Sequence, residues 1–199
     1  MKIVVQEFIT LDGVIQGPGG ADEDREGGFE YGGWQGEVGG DDGELIMEWE
    51  GRTEALLLGR KTYEIWADAW GVWDEGAPGP VGELTRRYNR VPKYVASRTL
   101  TEVTWRNSQL LGPDVPAAVE QLRARDFGGE IRVWGSGNLI RTLAQHDLVD
   151  EYRLVTYPLV LGTGKKLFPE GFPVTRLRQV EARVLPSGVV AATYRRAGS

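Results

Sequence analysis

Residues 55–66 read ALLLGRKTYEIW, and the change of pattern inside this stretch decides the fold. Ala55-Leu56-Leu57-Leu58 is a continuous apolar run, the signature of a short strand covered on both faces. Gly59 ends it, and Lys61 to Ala67 takes up a helical pattern. A buried strand, a glycine turn and a helix in direct succession make half of a parallel strand–helix–strand unit. The backbone N–H groups that open such a helix favour an anion, and Arg60, Lys61 and the Thr62 hydroxyl add charge and donors.

Working outward, the same arrangement recurs once. Ile131 to Trp134 reads as a strand, Gly135-Ser136-Gly137 as a turn, and Asn138 to Gln145 as a helix. The second turn is no Rossmann fingerprint, because Ile140 stands where the third glycine belongs. Gly164-Lys165-Lys166 is no P-loop either, since Leu159 and Lys166 occupy the places of its first glycine and its Ser or Thr.

Further strands are expected at residues 2–11, at Lys93 to Ser97, weakly at 104–108, and at 151–160, 176–185 and 189–195. Helices are expected at 42–54, 83–90 and 116–125, and Pro186-Ser187-Gly188 reads as a hairpin turn. The sum is one α/β domain over residues 1–199: a mainly parallel central sheet, flanking helices, and an antiparallel hairpin at the C-terminal edge. Ligands of such sheets bind beyond the carboxyl ends of the parallel strands.

Between Asp12 and Asp42 lies a long stretch rich in glycine and acid that cannot pack a core of its own. Its aromatics Phe29, Tyr31 and Trp34 argue against a solvated linker, so it reads as a loop folded over a site. Trp34 is the candidate for stacking on a substrate ring.

Composition narrows the function. The 199 residues carry a net charge of −6, with many acids between Asp22 and Glu54, which speaks against a nucleic-acid partner. There is no cysteine and one histidine, so thiolate metal sites, disulfides and cysteine nucleophiles are excluded, and no metal is expected. His146 reads as a surface cap on its helix. The N-terminus is unlike a signal peptide and no apolar run is long enough to span a bilayer, so a soluble cytoplasmic protein with no membrane partner is expected. For proton chemistry the acids are Asp12, at the end of the first strand, and Asp41, Asp42, Glu44 and Glu48 on the 42–54 helix. Asp12 is preferred, with Thr10 as a nearby donor.

LLLGRKTYEIW resembles the segment of dihydrofolate reductase-like proteins whose Gly-Arg-Lys-Thr turn binds the phosphates of NADPH. FITLDGVI at residues 8–15 is similar to the Ser/Thr-Leu-Asp-Gly segment of the riboflavin-pathway reductases, the C-terminal domain of bifunctional deaminase-reductases. Val95-Ala96-Ser97-Arg98 stands where that family contacts the adenosine ribose, and Trp134-Gly135-Ser136-Gly137-Asn138 where it has its second glycine turn. Residues 158–168, PLVLGTGKKLF, resemble its late Pro-x-x-x-Gly-x-Gly-x-x-Leu-Phe signature.

The resemblance implies a homodimeric, NADPH-dependent reductase of a small heterocyclic or carbonyl substrate, like the reductase of 5-amino-6-(5-phosphoribosylamino)uracil. Gly59, Arg60, Lys61, Thr62, Ser97, Arg98, Gly135, Ser136, Gly137 and Asn138 would hold the cofactor, with Arg60, Arg98 and Ser97 on its 2′-phosphate. Two readings stay open beside it: a dihydrofolate reductase, and a non-catalytic nucleotide- or ligand-binding protein on the same fold. With no cysteine and one histidine, these 199 residues hold no zinc-binding deaminase domain, and the Asp12–Asp42 loop is longer than a compact dihydrofolate reductase needs.

Overall fold

The computed structural model describes residues 1–125 and 128–197. Eight strands form one sheet: β1 (Lys2–Thr10), β2 (Thr53–Gly59), β3 (Lys93–Ala96), β4 (Ser108–Leu110), β5 (Glu130–Val133), β6 (Glu151–Tyr157), β7 (Leu177–Val184) and β8 (Val190–Arg196). Their order across the sheet is β4-β3-β2-β5-β1-β6-β8-β7. The first six run parallel, and β8 and β7 close one edge as an antiparallel hairpin. The expected architecture is therefore the observed one.

Six α-helices connect these strands: α1 (Gln35–Val38), α2 (Gly43–Glu50), α3 (Arg60–Asp68), α4 (Gly79–Arg90), α5 (Val115–Ala124) and α6 (Gly137–Gln145). Helix α4 starts four residues before its expected onset, because Pro80 falls in the first turn, where a missing N–H costs least. The weak strand at 104–108 is a correction. Pairing with β3 begins only at Ser108, and Trp105 instead buries its ring while its Nε1 donates to Asn89 Oδ1 at 2.6 Å. Strand β6, expected to run to Val160, stops at Tyr157 and lies between β1 and β8, and its apolar residues serve the core. Among the described residues, no helix is long and apolar enough to cross a membrane.

Each face of the sheet carries its own core. Ile3, Val5 and Ile9 of β1 pack with Leu139, Ile140 and Leu143 of α6 on one face. On the other, Leu56, Leu58, Trp134, Val155 and Tyr157 meet Leu45, Ile46 and Trp49 of α2. This second face is layered along the strands, because alternate residues share a side. Its lower layer is ionic. Glu130 binds Arg132 at 2.6 Å and Arg153 at 2.7 Å, Arg153 also reaches Glu151 at 2.7 Å, and Arg132 donates to Gln6 Oε1 and, at 2.9 Å, to the Trp49 carbonyl. Two residues further along the same strands come Phe8 and Trp134, an aromatic layer resting on the ionic one.

Breaking a buried ion pair from one side leaves an uncompensated charge, which costs about 3–5 kcal/mol, a large part of a domain's stability. Glu130→Ala takes the carboxylate partner from buried Arg132 and leaves Arg153 with Glu151 alone. Urea unfolding should show at least that loss, whereas Glu64→Ala, at an exposed pair with Arg60, should cost under about 1 kcal/mol.

Candidate functional site

The carboxyl ends of β3, β2, β5, β1 and β6 lie side by side, so the candidate residues line up in that order. Ser97 and Arg98 follow β3, Gly59 to Thr62 follow β2, Gly135 to Asn138 follow β5, Thr10 and Asp12 end β1, and Tyr157 ends β6. Residues scattered over nearly 150 positions of sequence become one edge.

The two glycine turns are bolted together. Ser136 Oγ accepts the Gly59 N–H at 2.8 Å and donates to Thr62 Oγ1 at 3.1 Å, and the Ser136 N–H donates to the same Thr62 oxygen at 2.9 Å. Thr62 thus accepts twice and keeps its own proton for a third group. Gly135 and Ser136 are both left-handed, with φ of 54° and 57°. That conformation is easy for glycine and costly for serine, and it is held here by the bonds just named. A Cβ on Gly135 would come within 2.6 Å of Thr62 Oγ1, so the turn leaves room for nothing larger than hydrogen.

Around this knot, Arg60 projects from the first turn of α3 and pairs with Glu64 at 2.9 Å; both side chains are largely exposed, so the pair is weak and Arg60 can be recruited elsewhere. Lys61 is exposed, and its charge helps to keep the Asp24 and Glu26 carboxylates ionised. Burial acts most strongly on Asp24 and raises it, but Lys165 at 2.7 Å, the Glu26 N–H and Lys61 together bring it below the usual range; on Glu26 the main influence is Lys165. Ser97 Oγ accepts from the N–H groups of Thr99 and Leu100, shaping the turn that presents the exposed Arg98. Gly137 and the exposed Asn138 open α6.

Thr10 and Asp12 are clamps. Thr10 Oγ1 donates to Asp12 Oδ1 at 2.6 Å, and the Asp12 carboxylate accepts from the N–H groups of Leu161 and Gly162. The Thr10 bond, against slight desolvation, holds Asp12 below the usual carboxylate range, with the two backbone donors helping. An acid so held stays ionised and is a poor proton donor. It instead ties the loop after β1 to the loop after β6, as does the antiparallel bridge of Val14 with Lys166.

Trp34 is fully buried, and its Nε1 donates to the Gln16 carbonyl at 2.8 Å. The expected substrate-stacking residue is thus a core anchor of the long loop, wedged edge-on against Tyr157. His146 caps α6 from the surface, as expected.

Of the five acids the sequence offered, the structure sets Asp42 apart, and it adds Tyr157, Glu7 and Phe8, which the sequence did not single out. Asp42 is buried at the start of α2, and the Tyr157 hydroxyl donates to its Oδ2. Burial, then the adjacent Asp42 carboxylate, pushes the Tyr157 hydroxyl far above its usual range, so it remains a donor. The rival acids are committed elsewhere or open to solvent: Asp41 binds Ser187, Glu48 binds Arg183, and Glu44 is exposed. Glu7 is buried on the α6 face of β1. Burial pushes its carboxyl well above the usual range, partly opposed by the Gly135 N–H and reinforced by Glu23. Phe8, alone in β1 after Lys2, is not fully buried, although β1 lies inside the sheet. Phe8 packs against the core of the α2 face and keeps partial access to solvent there. Trp134 flanks it with ring centroids 5.1 Å apart, fixed by its Nε1 donating to the buried Glu50 at 3.0 Å. The signals for Glu7 and Phe8 were there to read: an acid at a core-facing position, and an aromatic in register with the second glycine turn.

The model of the RibD C-terminal domain family matches residues 1–191. The chain belongs to the RibD C-terminal domain family. YyaP of Bacillus subtilis (strain 168), an uncharacterized protein, is 28% identical over 197 residues, which are 97% of this chain and 94% of YyaP. A protein of Shewanella sp. PV-4 named for riboflavin biosynthesis superposes with a TM-score of 0.72 at 24% identity, covering 99% of both chains. A pyrimidine reductase-like protein of Corynebacterium diphtheriae gives 0.64 at 14% identity, over 100% of this chain and 92% of its own. Dihydrofolate reductase of Enterococcus faecalis, complexed with NADP(H), gives 0.59 at 14% identity, over 98% and 96%. The fold is that of the dihydrofolate reductases. Among the described residues, no group of three or more His, Cys, Asp or Glu could hold a metal.

A carboxyl whose folded pKa is raised is protonated in the fold and ionised in the unfolded chain, so stability falls as pH climbs from the unfolded value towards the folded one. Glu7→Gln removes that dependence and keeps an oxygen for the Gly135 N–H. The variant should melt higher than the parent at pH 7 and gain less at pH 4; equal gains at both would show that Glu7 is ionised in the fold.

Proposed function

We propose that this protein is an NADPH-dependent oxidoreductase that reduces a small heterocyclic or carbonyl substrate, acting in the cytoplasm as a homodimer. The observation that carries the reading is the hydrogen-bonded pair of glycine turns at the carboxyl ends of β2 and β5, in a member of a reductase-bearing family. Two strand–turn–helix units with a closely approachable backbone, flanked by Arg60, Lys61 and Arg98, fit an elongated anion with phosphates at two places. Gly135 has no space for a Cβ, and Thr62 keeps a hydroxyl proton to give.

When bound, the nicotinamide supplies the hydride. In this reading Gly59, Thr62 and the Gly135–Asn138 turn hold the phosphate bridge, and Arg60, Ser97 and Arg98 take the 2′-phosphate. Thr10 and Asp12 hold the two loops that frame the cleft. Asp42 and the Tyr157 hydroxyl that donates to it are the pair that would handle a proton for a substrate that needs one; both are buried, on the face that carries Phe8. The same buried helix acid favours a second reading, dihydrofolate reduction, which a substrate panel containing dihydrofolate, an aminopyrimidine and quinones separates from the first.

Charged hydrogen bonds are worth about 1.5–3 kcal/mol, and about 1.4 kcal/mol is tenfold in affinity. Arg60→Ala should weaken NADPH binding about tenfold to a hundredfold and leave NADH binding nearly unchanged, as read by tryptophan fluorescence quenching; equal small losses for both would refute the assignment of Arg60. Asp42→Asn should lower turnover of a proton-requiring substrate by about a hundredfold or more with NADPH affinity retained; unaltered turnover would move the proton source elsewhere.

A further inference from the structure

We propose that the Tyr63 hydroxyl is a positioning group for the cofactor's 2′-phosphate: it fixes the span between Arg60 and Arg98, and with it the preference for NADPH over NADH. This rests on the NADPH reading above and names what sets its selectivity.

The two arginines come from different elements. Arg60 opens α3, and Arg98 stands in the segment between β3 and β4. Arg60 shares an exposed pair with Glu64, and Arg98 is exposed with no carboxylate partner among the described residues. Both side chains are long, and ordering each on a ligand costs conformational entropy. Two such groups close on one phosphate effectively when their backbones already stand at the right separation.

Tyr63 supplies that hold. It lies in the same first turn of α3 as Arg60 and is 4% exposed. Its hydroxyl oxygen accepts from the Thr104 N–H at 2.9 Å and from the Trp105 N–H at 3.0 Å. Among the described residues, these are the only hydrogen bonds between α3 and the 97–107 segment.

The rest of the segment leaves the link to α3 to this one oxygen. At its far end Trp105 donates to Asn89 at 2.6 Å, and the ring lies 4.4 Å from buried Lys93 Nζ, itself bonded to the Tyr88 carbonyl at 2.7 Å. Those contacts seat Trp105 on α4, not on α3. At the near end Ser97 Oγ shapes a local turn. Residues 101–103 between them make no hydrogen bond among the described residues. Arg98 therefore rides on an arc whose fit against α3 is set by Tyr63. Next to it, Thr62 ties the same helix turn to the glycine turn after β5. Consecutive side chains of one helical turn thus place the pyrophosphate cradle and the Arg98 arc relative to each other.

The test is a double-mutant cycle of Tyr63→Phe and Arg98→Ala, with NADPH and NADH affinities read by tryptophan fluorescence quenching below the melting temperature of each variant. Tyr63→Phe removes the acceptor and keeps the ring beside Trp105. It should weaken NADPH binding about fivefold or more and NADH binding by less than about twofold. Arg98→Ala, an exposed change that spares the fold, should by itself cost NADPH about fivefold or more, and adding Tyr63→Phe to it should cost less than about twofold further. Amide exchange in the absence of cofactor should quicken over residues 98–105 in Tyr63→Phe and stay unchanged over 59–62. Equal losses for NADPH and NADH, a full further loss in the Arg98→Ala chain, no NADPH loss in Arg98→Ala alone, or unchanged exchange over 98–105 would each overturn the proposal. A parent chain that binds NADPH no better than NADH would overturn it together with the roles of Arg60 and Arg98. A parent that binds neither would bring down the cofactor reading as well.

Discussion

The structure turns on the hydroxyl of Ser136. By accepting from the backbone of Gly59 and bonding to Thr62, it locks the turn after β5 to the turn after β2. Neither turn is a complete phosphate-binding motif. Joined across neighbouring parallel strands, they make one surface of backbone N–H groups, helix starts and flanking cations. The left-handed conformation at Ser136 is the cost of that join, and the three hydrogen bonds offset it. Gly135 follows from the same constraint, because the approach of Thr62 excludes a side chain there.

Below the turns, the alternation of strand residues sorts the opposite face of the sheet into layers. Arginines and glutamates fill the lower layer, where every charge has a partner of opposite sign. Aromatic rings sit above and open to solvent at Phe8. An ionic layer is rigid when complete and costly when broken, so it makes a firm floor for a cleft whose walls are loops. The long acidic loop is part of that wall. Its buried Phe29 and Trp34 anchor it, and Lys165 ties Asp24 and Glu26 down beside Lys61.

Much of this was legible in the sequence, for identifiable reasons. ALLLGRKTYEIW and IRVWGSGNLI each carry strand, turn and helix within a dozen residues, so local pattern was enough to place both turns and the parallel sheet. Thr104 to Ser108 read as a strand because Trp105 favours strands, but tertiary contact with Asn89 claimed that side chain instead. Trp34 looked like a substrate contact because it lies in a glycine-rich loop; only the fold reveals that the loop has its own small core. Sequence put Asp12 ahead of Asp42 on position alone, whereas what separates them in the fold is partners. One is held by the Thr10 hydroxyl and two loop N–H groups, and the other is buried, accepting from Tyr157 and Gln35. Phe8 was hidden for the opposite reason. An aromatic in a central strand reads as core, and only the fold shows that Phe8 keeps partial access to solvent.

The most direct measurement of the central claim, that the joined glycine turns are a dinucleotide cradle, is a crystal structure of the protein soaked with NADP+. The expected density has the pyrophosphate against Gly59–Thr62 and Gly135–Asn138, the 2′-phosphate between Arg60 and Arg98, and the nicotinamide reaching towards Phe8. A dinucleotide bound away from these turns, or turns left empty in crystals soaked at millimolar NADP+, would contradict it.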